Sequence, residues 1–245
     1  MVLFTAGSGL HTIDFQSYAV QPYQIYFMLP GQVHSWHFDK NVNGYLVHFE
    51  APLFTGFLAD THYLERFGFF QTAAAAAVCN LPPEAQATMD SLFQSLLSES
   101  ASNKPFHLDL FRLRLLEIFI TVERYCGQPR INPISQHKTT VLRSYQNLIE
   151  KHYRELRLPK QYADLLYITP NHLNALCQDL LGKTAGDLIR DRILLEAKRM
   201  LTSADMTVTE IAYNLNFKDN SYFNRFFKKE VGSTPDEFRT AFLQQ

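Results

Sequence analysis

The feature that most constrains this 245-residue chain is an internal repeat: the stretch from Tyr162 to Arg190 resembles the stretch from Ile211 to Arg239. Self-similarity of this kind means that one supersecondary unit is used twice. Ala163 matches Ala212 at a separation of 49. Past a turn the separation becomes 50, pairing Leu173 with Phe223, Leu176 with Phe226, Cys177 with Phe227, Gly182 with Gly232 and Thr184 with Thr234. One extra residue in the second turn accounts for the step. Each copy supplies a short helix with an inward alanine, a tight turn, and a second helix with apolar residues at i, i+3 and i+4, the minimum specification of a helix-turn-helix.

The apolar stripe dictates what faces outward. In the second copy, burial of Phe223, Phe226 and Phe227 forces Asn220, Ser221, Asn224, Arg225 and Lys228 to the opposite side. In the first, Leu173, Leu176 and Cys177 point inward and Asn171, His172, Asn174, Ala175 and Gln178 outward. These outward faces are rich in hydrogen-bonding side chains of suitable length for base edges and phosphates, and amides can pair with adenine N6 and N7. Between the copies, TAGDLIRDRILLEAKRMLTS predicts about 19 residues of helix, a rod of roughly 28 Å. Adjacent major grooves on one face of B-DNA lie about 34 Å apart, so such a rod suits two reading helices in neighbouring grooves.

The segment EAKRMLTSADMTVTEIAYNLNFKDNSYFNRFFKKEVGSTPDEFR resembles the C-terminal signature of the AraC/XylS family of transcription regulators, and the likeness covers roughly residues 140–243. The resemblance implies that Asn220, Ser221, Asn224 and Arg225 approach bases in one groove of double-stranded DNA, and Asn171, His172 and Asn174 in the other. Arg192, Ala197 and Leu201 match the family's pattern in the linking helix. Where the family usually has glycine in the second turn, this chain has Asn216, the next best residue for a left-handed backbone. The matching position of the first unit is Tyr167. Ala175 and Gln178 stand where an arginine and a lysine are common, so the first unit is expected to attract phosphate less. The phosphate candidates are Gln178, Lys183, Lys218, Lys228 and Lys229.

Ahead of the repeat the pattern is different. From Leu10 to Phe49, short apolar alternations broken by turn residues predict strands of a small antiparallel sheet or barrel. YQIYFMLPGQVHSWHFDKNVNGYLVHFEAPLF resembles the cupin-like sensory half of the same family. Full domains of that kind normally have further strands ahead of this motif, so the resemblance implies a shortened version. Alternation puts His34, Trp36 and Phe38 on one face and Val33, Ser35 and His37 on the other. The aromatic strip reads as the wall of an effector pocket or as barrel core. His34 and His37 point to opposite faces, against the His-x-His spacing of cupin metal sites, so neither metal nor other cofactor is expected.

LPPEAQATMDSLFQSLLSES and FHLDLFRLRLLEIFITVERY predict two helices, at 83–100 and 106–126, with Phe111, Leu115, Ile118 and Val122 on one side of the second. Phe106, Leu110, Leu113 and Phe119 exceed what packing on a small sheet explains. They serve either that packing or the pairing of two chains. The fold class expected is α+β: a small antiparallel cupin-like domain over 1–126, a linker over 127–138, and an all-α domain over 139–245 with two helix-turn-helix units joined by a long helix. Ala73–Ala77 is read as a loop or helix lead-in.

Charge agrees with this division. Up to His137 there are 7 basic and 11 acidic residues, and beyond it 16 and 13, so the halves carry −4 and +3. A polyanion-binding role confined to the second half produces such a split. No apolar run approaches the roughly 20 residues of a membrane span, and the start lacks a charged leader followed by an apolar core, so a cytoplasmic location is expected. Cys79, Cys126 and Cys177 show no pairing motif and are read as reduced and structural. Nucleophile elbows, phosphate-binding glycine loops and paired carboxylates are absent. A sequence-specific DNA-binding regulator is therefore expected, controlled by a small-molecule effector or by homodimerisation, with RNA polymerase as a further partner. The alternative is a cupin-type metal-dependent enzyme or small-molecule binding protein.

Overall fold

In the computed structural model, which describes residues 1–60, 63–70, 78–126, 133–203 and 205–244, the strand pattern read from Leu10 starts at Val2. Strand β1 (Val2–Ile13) is the long axis of a five-stranded antiparallel sheet. It pairs with β2 (Gln16–Val20), β3 (Gln24–Tyr26) and β4 (His34–Leu46), and β3 pairs with β5 (Val78–Asn80). The β1 to β4 register shifts three times between Phe4 and Gly9. Gly7 and Gly9 permit this: both have positive φ, and a Cβ on Gly9 would lie 2.4 Å from the His37 carbonyl oxygen. These bulges reverse the parity of the strand. Phe4 and His11, seven residues apart, therefore share one face, their ring centroids 6.3 Å apart.

One face of this sheet carries Leu3 and Ile25 into a core with Met89, Phe93, Leu115, Ile118, Phe119 and Val122. The last six come from α1 (Pro83–Ser100) and α2 (His107–Cys126), so the two helices lie where the periodicity puts them. Phe119, counted above among surplus apolar residues, is fully buried against Phe27, Phe69 and Phe70, whereas Phe106, Leu110 and Leu113 are exposed. The opposite face of the sheet buries Val2, Phe4, Ile13, Val20 and Tyr26.

The cysteine reading needs correction. Cys79 and Cys126 are joined as a disulfide, while Cys177 is buried and free. The antiparallel α1–α2 hairpin returns the chain to the strand that precedes it, a closure that residue spacing does not reveal. The run Ala73–Ala77 lies outside the described residues.

Chain contacts divide the molecule into Met1–Pro129 and Arg130–Gln245. The segment 127–138, read as linker, is helical from Pro133 onward, while 127–132 lie outside the described residues. Proline suits the first helical turn, where its missing N–H is not needed, so Pro133 starts α3 (Pro133–His152) rather than breaking it.

In the second unit α4 (Pro159–Leu165) and α7 (Val208–Asn214) are offset by 49 residues, α5 (Pro170–Leu181) and α8 (Asn220–Val231) by 50, as the repeat requires. Helix α6 (Ala185–Ser203) connects the pairs and α9 (Pro235–Leu243) closes the unit. Ala163, Ala212, Leu173, Cys177, Phe223 and Phe227 are all fully buried in one core. Burying each of the two phenylalanines contributes roughly 2 to 3 kcal/mol. Arg192 ties α6 to α3: its guanidinium lies 4.1 Å above the Tyr153 ring and pairs with Glu150 at 2.8 Å and Glu196 at 2.9 Å. Among the described residues, no helix is long and apolar enough to cross a membrane.

Candidate nucleic-acid interface

Both second helices of the repeat are built the same way at both ends. The Thr169 hydroxyl caps α5 by accepting from the His172 N–H, and the Asp219 carboxylate caps α8 by accepting from the Tyr222 N–H. Gly182 and Gly232, at φ 66° and 88°, end them in the left-handed conformation. Thr184 with Asp187 and Thr234 with Glu237 then start the following helices by reciprocal capping. The Thr184 hydroxyl and then its N–H hold the Asp187 carboxyl below the usual carboxylate range, and the Thr234 N–H and then its hydroxyl do so for Glu237. Caps of this kind fix where each helix begins, and so fix which side chains form its outer face.

The turns are also matched. Tyr167 and Asn216 adopt φ values of 56° and 58° at corresponding places, as the glycine-like position demands. Asn216 also donates from Nδ2 to the Arg154 carbonyl oxygen at 3.2 Å. Arg157, partly buried, lies 4.8 Å above the Phe217 ring and donates to the Leu215 carbonyl oxygen, closing the second turn from behind.

The predicted reading residues of α8 divide into two groups. Ser221 and Arg225 are exposed, and Arg225 has no ion-pair partner among the described residues. Asn220 is engaged inside the protein: its Nδ2 donates to Thr209 Oγ1 at 3.1 Å, and its Oδ1 accepts from Asn224 Nδ2 at 2.8 Å. Asn224 is half-buried, and the same Nδ2 group donates to the Asn220 carbonyl oxygen at 2.9 Å. On α5, Asn171, His172, Ala175 and Gln178 are exposed, and Asn174 Oδ1 accepts from the Ala185 N–H at 3.1 Å. Thr209 was not singled out from sequence. Its only signal was its place two residues into a short helix, which says nothing of a partner eleven positions later.

Among the phosphate candidates, Lys218, Lys228 and Lys229 are exposed and make no ion pair with a described residue. Lys183 is different: its Nζ lies 2.7 Å from Asp191 Oδ2. Several other cations of this unit are committed internally, among them Arg192, and Arg239, which donates to the Leu201 and Met206 carbonyl oxygens. Of the two reading helices, α8 with the turn before it thus carries more unpaired positive charge than α5.

In the first unit His34, Trp36 and Phe38 share a face as alternation requires, with centroid separations of 4.9 Å and 6.2 Å along the strip. All three are exposed, so the strip is an open wall. Beneath it lies a residue that strand patterning passed over. His11 is fully buried, 5.4 Å from the Trp36 ring and 4.6 Å from Tyr26, and neither ring nitrogen has a hydrogen-bond partner. Burial, and secondarily the nearby His34, lower its pKa to about 4.

Comparison with known proteins finds a match on each unit. Residues 1–116 match an AraC-like ligand binding domain, and residues 162–241 match a helix-turn-helix domain. The chain is 40% identical over 68 residues to the probable transcription factor PqrA of Proteus vulgaris, a match spanning 28% of this chain and 56% of that protein. It is 22% identical over 170 residues to the HTH-type transcriptional activator RhaR of Yersinia pestis, covering 67% of this chain and 56% of the relative. The chain therefore spans about half the length of these curated relatives. Among solved structures, the C-terminal domain of AraT, a response regulator from Geobacillus stearothermophilus, is 27% identical with a TM-score of 0.39, covering 46% of this chain and 88% of that one. An AraC-like ligand binding domain match on the first unit and a helix-turn-helix domain match on the second give this chain the domain pairing of AraC-type transcription regulators.

Proposed function

We propose that this chain reads two segments of double-stranded DNA, with α8 the stronger of its two reading helices. Ser221, Asn224 and Arg225 face bases in one major groove, with Asn220 supporting Asn224, and Asn171, His172 and Asn174 face bases in the next. Lys218, Lys228 and Lys229 hold phosphates beside α8, and Gln178 and Lys183 do so beside α5. The observation that carries this reading is the duplicated pair of capped helices, each with a buried stripe behind an exposed hydrogen-bonding face, joined by a 19-residue helix.

Selection of binding sites from random DNA, followed by gel shift with Arg225→Ala, tests it. A loss of roughly 1 to 3 kcal/mol at one base pair is expected. Unchanged affinity and unchanged preference would remove Arg225 as the leading base contact.

The first unit serves as sensor. The exposed Trp36–Phe38 strip above the unpartnered His11 favours a small-molecule effector that covers the strip, and the exposed Phe106 just ahead of α2, with Leu110 and Leu113 on it, favours a homodimer. Effector binding then shifts the population of chains able to engage both grooves, and RNA polymerase is the downstream partner. The reading places the protein in the cytoplasm as a binding protein rather than an enzyme.

A further inference from the structure

Asn174 and Asn224 occupy equivalent positions of the two reading helices, each the fifth residue of its helix and both outward of the buried stripe. A primary amide has one end that only donates and one that only accepts. Which end reaches the DNA is therefore decided by what the protein does with the other. The protein's backbone settles this for both residues.

At Asn174 the internal partner is the backbone N–H of Ala185, at 3.1 Å. An N–H only donates, so the amide oxygen must face it. The Nδ2 group, with both its hydrogens, is left outward. At Asn224 the internal partner is the backbone carbonyl oxygen of Asn220, at 2.9 Å. A carbonyl only accepts, so here the Nδ2 group must face inward, and its second hydrogen goes to Asn220 Oδ1 at 2.8 Å. Asn220 is oriented in its turn by Asn224, because only its Oδ1 can accept from that Nδ2, and its own Nδ2 then donates to Thr209 Oγ1 at 3.1 Å, a hydroxyl that serves either role. Both donors of Asn224 are spent, and its Oδ1 has no partner among the described residues and is not among the buried unpartnered atoms.

We propose that these two equivalent asparagines read opposite chemistry: Asn174 presents a donor and selects a base acceptor, and Asn224 presents an acceptor and selects a base donor. In the major groove the donors are adenine N6 and cytosine N4, so Asn224 takes A or C and rejects G and T. Acceptors are guanine N7 and O6, adenine N7 and thymine O4, so the position under Asn174 rejects C. Neither residue forms the two-bond amide pair with adenine, which needs a donor and an acceptor from one side chain. This inference rests on the base-reading role proposed above.

The test uses the full chain and sites selected from random DNA. Asn224→Ala should relax one position at which the unaltered protein prefers A or C. At that position, removing the exocyclic amino group of the base should weaken binding about tenfold, while 7-deazaadenine in place of adenine should bind within twofold. Asn174→Asp keeps an oxygen for the Ala185 N–H but replaces the outward donor with an acceptor, so preference under this residue should switch to A or C. Loss of binding to 7-deazaadenine, a preference for G or T under Asn224, or no switch with Asn174→Asp would overturn the assigned polarity while leaving base reading intact. If Asn224→Ala and Asn174→Ala both leave every position of the selected site unchanged, base reading by these residues fails and the inference falls with it.

Discussion

Cys79 in β5 and Cys126 at the end of α2 are joined through their sulfurs, with Cα atoms 5.8 Å apart at a sequence separation of 47. The bond closes a loop that contains both helices of the first unit. Restricting a loop of this length in the unfolded chain is worth about 4 kcal/mol in the chain-entropy view. Reduction should therefore lower the unfolding midpoint of the Met1–Pro129 transition and leave that of Arg130–Gln245 in place. Cys126 is exposed, so Cys126→Ser should reproduce the effect without disturbing the core. Calorimetry of the full chain with and without a thiol reductant measures both. An unchanged first transition would show that the bond contributes nothing to folding.

His11 makes the first unit sensitive to acid in a defined window. Its pKa is about 4 in the folded chain, from burial first and His34 second, against about 6.5 when unfolded. A histidine whose folded pKa is depressed binds fewer protons folded than unfolded between these values. Stability is full above about pH 6.5 and is lost as pH falls toward 4, by about 3 kcal/mol in all. Denaturant titrations from pH 7 to pH 4 should show this slope in the first unit, and His11→Phe should flatten it. A His11→Phe variant with the same slope would assign the effect to other groups.

How far the chain can be read in advance depends on whether the answer lies within one element. Helix offsets of 49 and 50, the buried alanines and the glycine caps are local, and the repeat displays them. The face on which His11 lies is not local. Bulges at Gly7 and Gly9 reverse the parity of β1, so simple alternation counted from Phe4 would turn His11 to the wrong side. The polarity of Asn174 and Asn224 is equally hidden, since it is set by backbone groups of Ala185 and Asn220 that sequence cannot aim. The same applies to Lys183: its charge is legible, but its pairing with Asp191 is not.

Two non-glycine residues sit where the turns demand a left-handed backbone. For an ordinary side chain this conformation costs roughly 1 to 2 kcal/mol, and less for asparagine. The Tyr167 side chain is 96% exposed and has little packing to lose. Tyr167→Gly should accordingly stabilise the second unit by about 0.5 to 1 kcal/mol after the extra freedom of glycine in the unfolded chain is deducted. Asn216→Gly should gain less, because it also gives up the bond to the Arg154 carbonyl oxygen. Thermal denaturation of the two variants gives the order. A larger gain at Asn216 than at Tyr167 would contradict it.

Phosphate attraction should differ between the two reading helices in a way that salt exposes. Each cation that neutralises a phosphate releases counterions, and its loss should reduce the slope of log affinity against log salt by about 0.9. Lys218 and Lys229 are exposed and make no ion pair with a described residue, so they arrive at DNA with their charge uncommitted, whereas Lys228 lies in the field of Glu237. Lys183 must first leave Asp191, from which its Nζ stands 2.7 Å away. An exposed pair of this kind is worth at most about 1 kcal/mol, enough to blunt a phosphate contact without forbidding it. Lys229→Ala should then cost close to the full slope change, and Lys183→Ala clearly less. Asp191→Asn should act in the opposite sense, freeing Lys183 and removing a negative charge beside it, so the variant binds DNA more tightly at low salt. Equal slopes for Lys183→Ala and Lys229→Ala would mean that Asp191 yields its partner without cost and that α5 holds phosphate as well as α8 does.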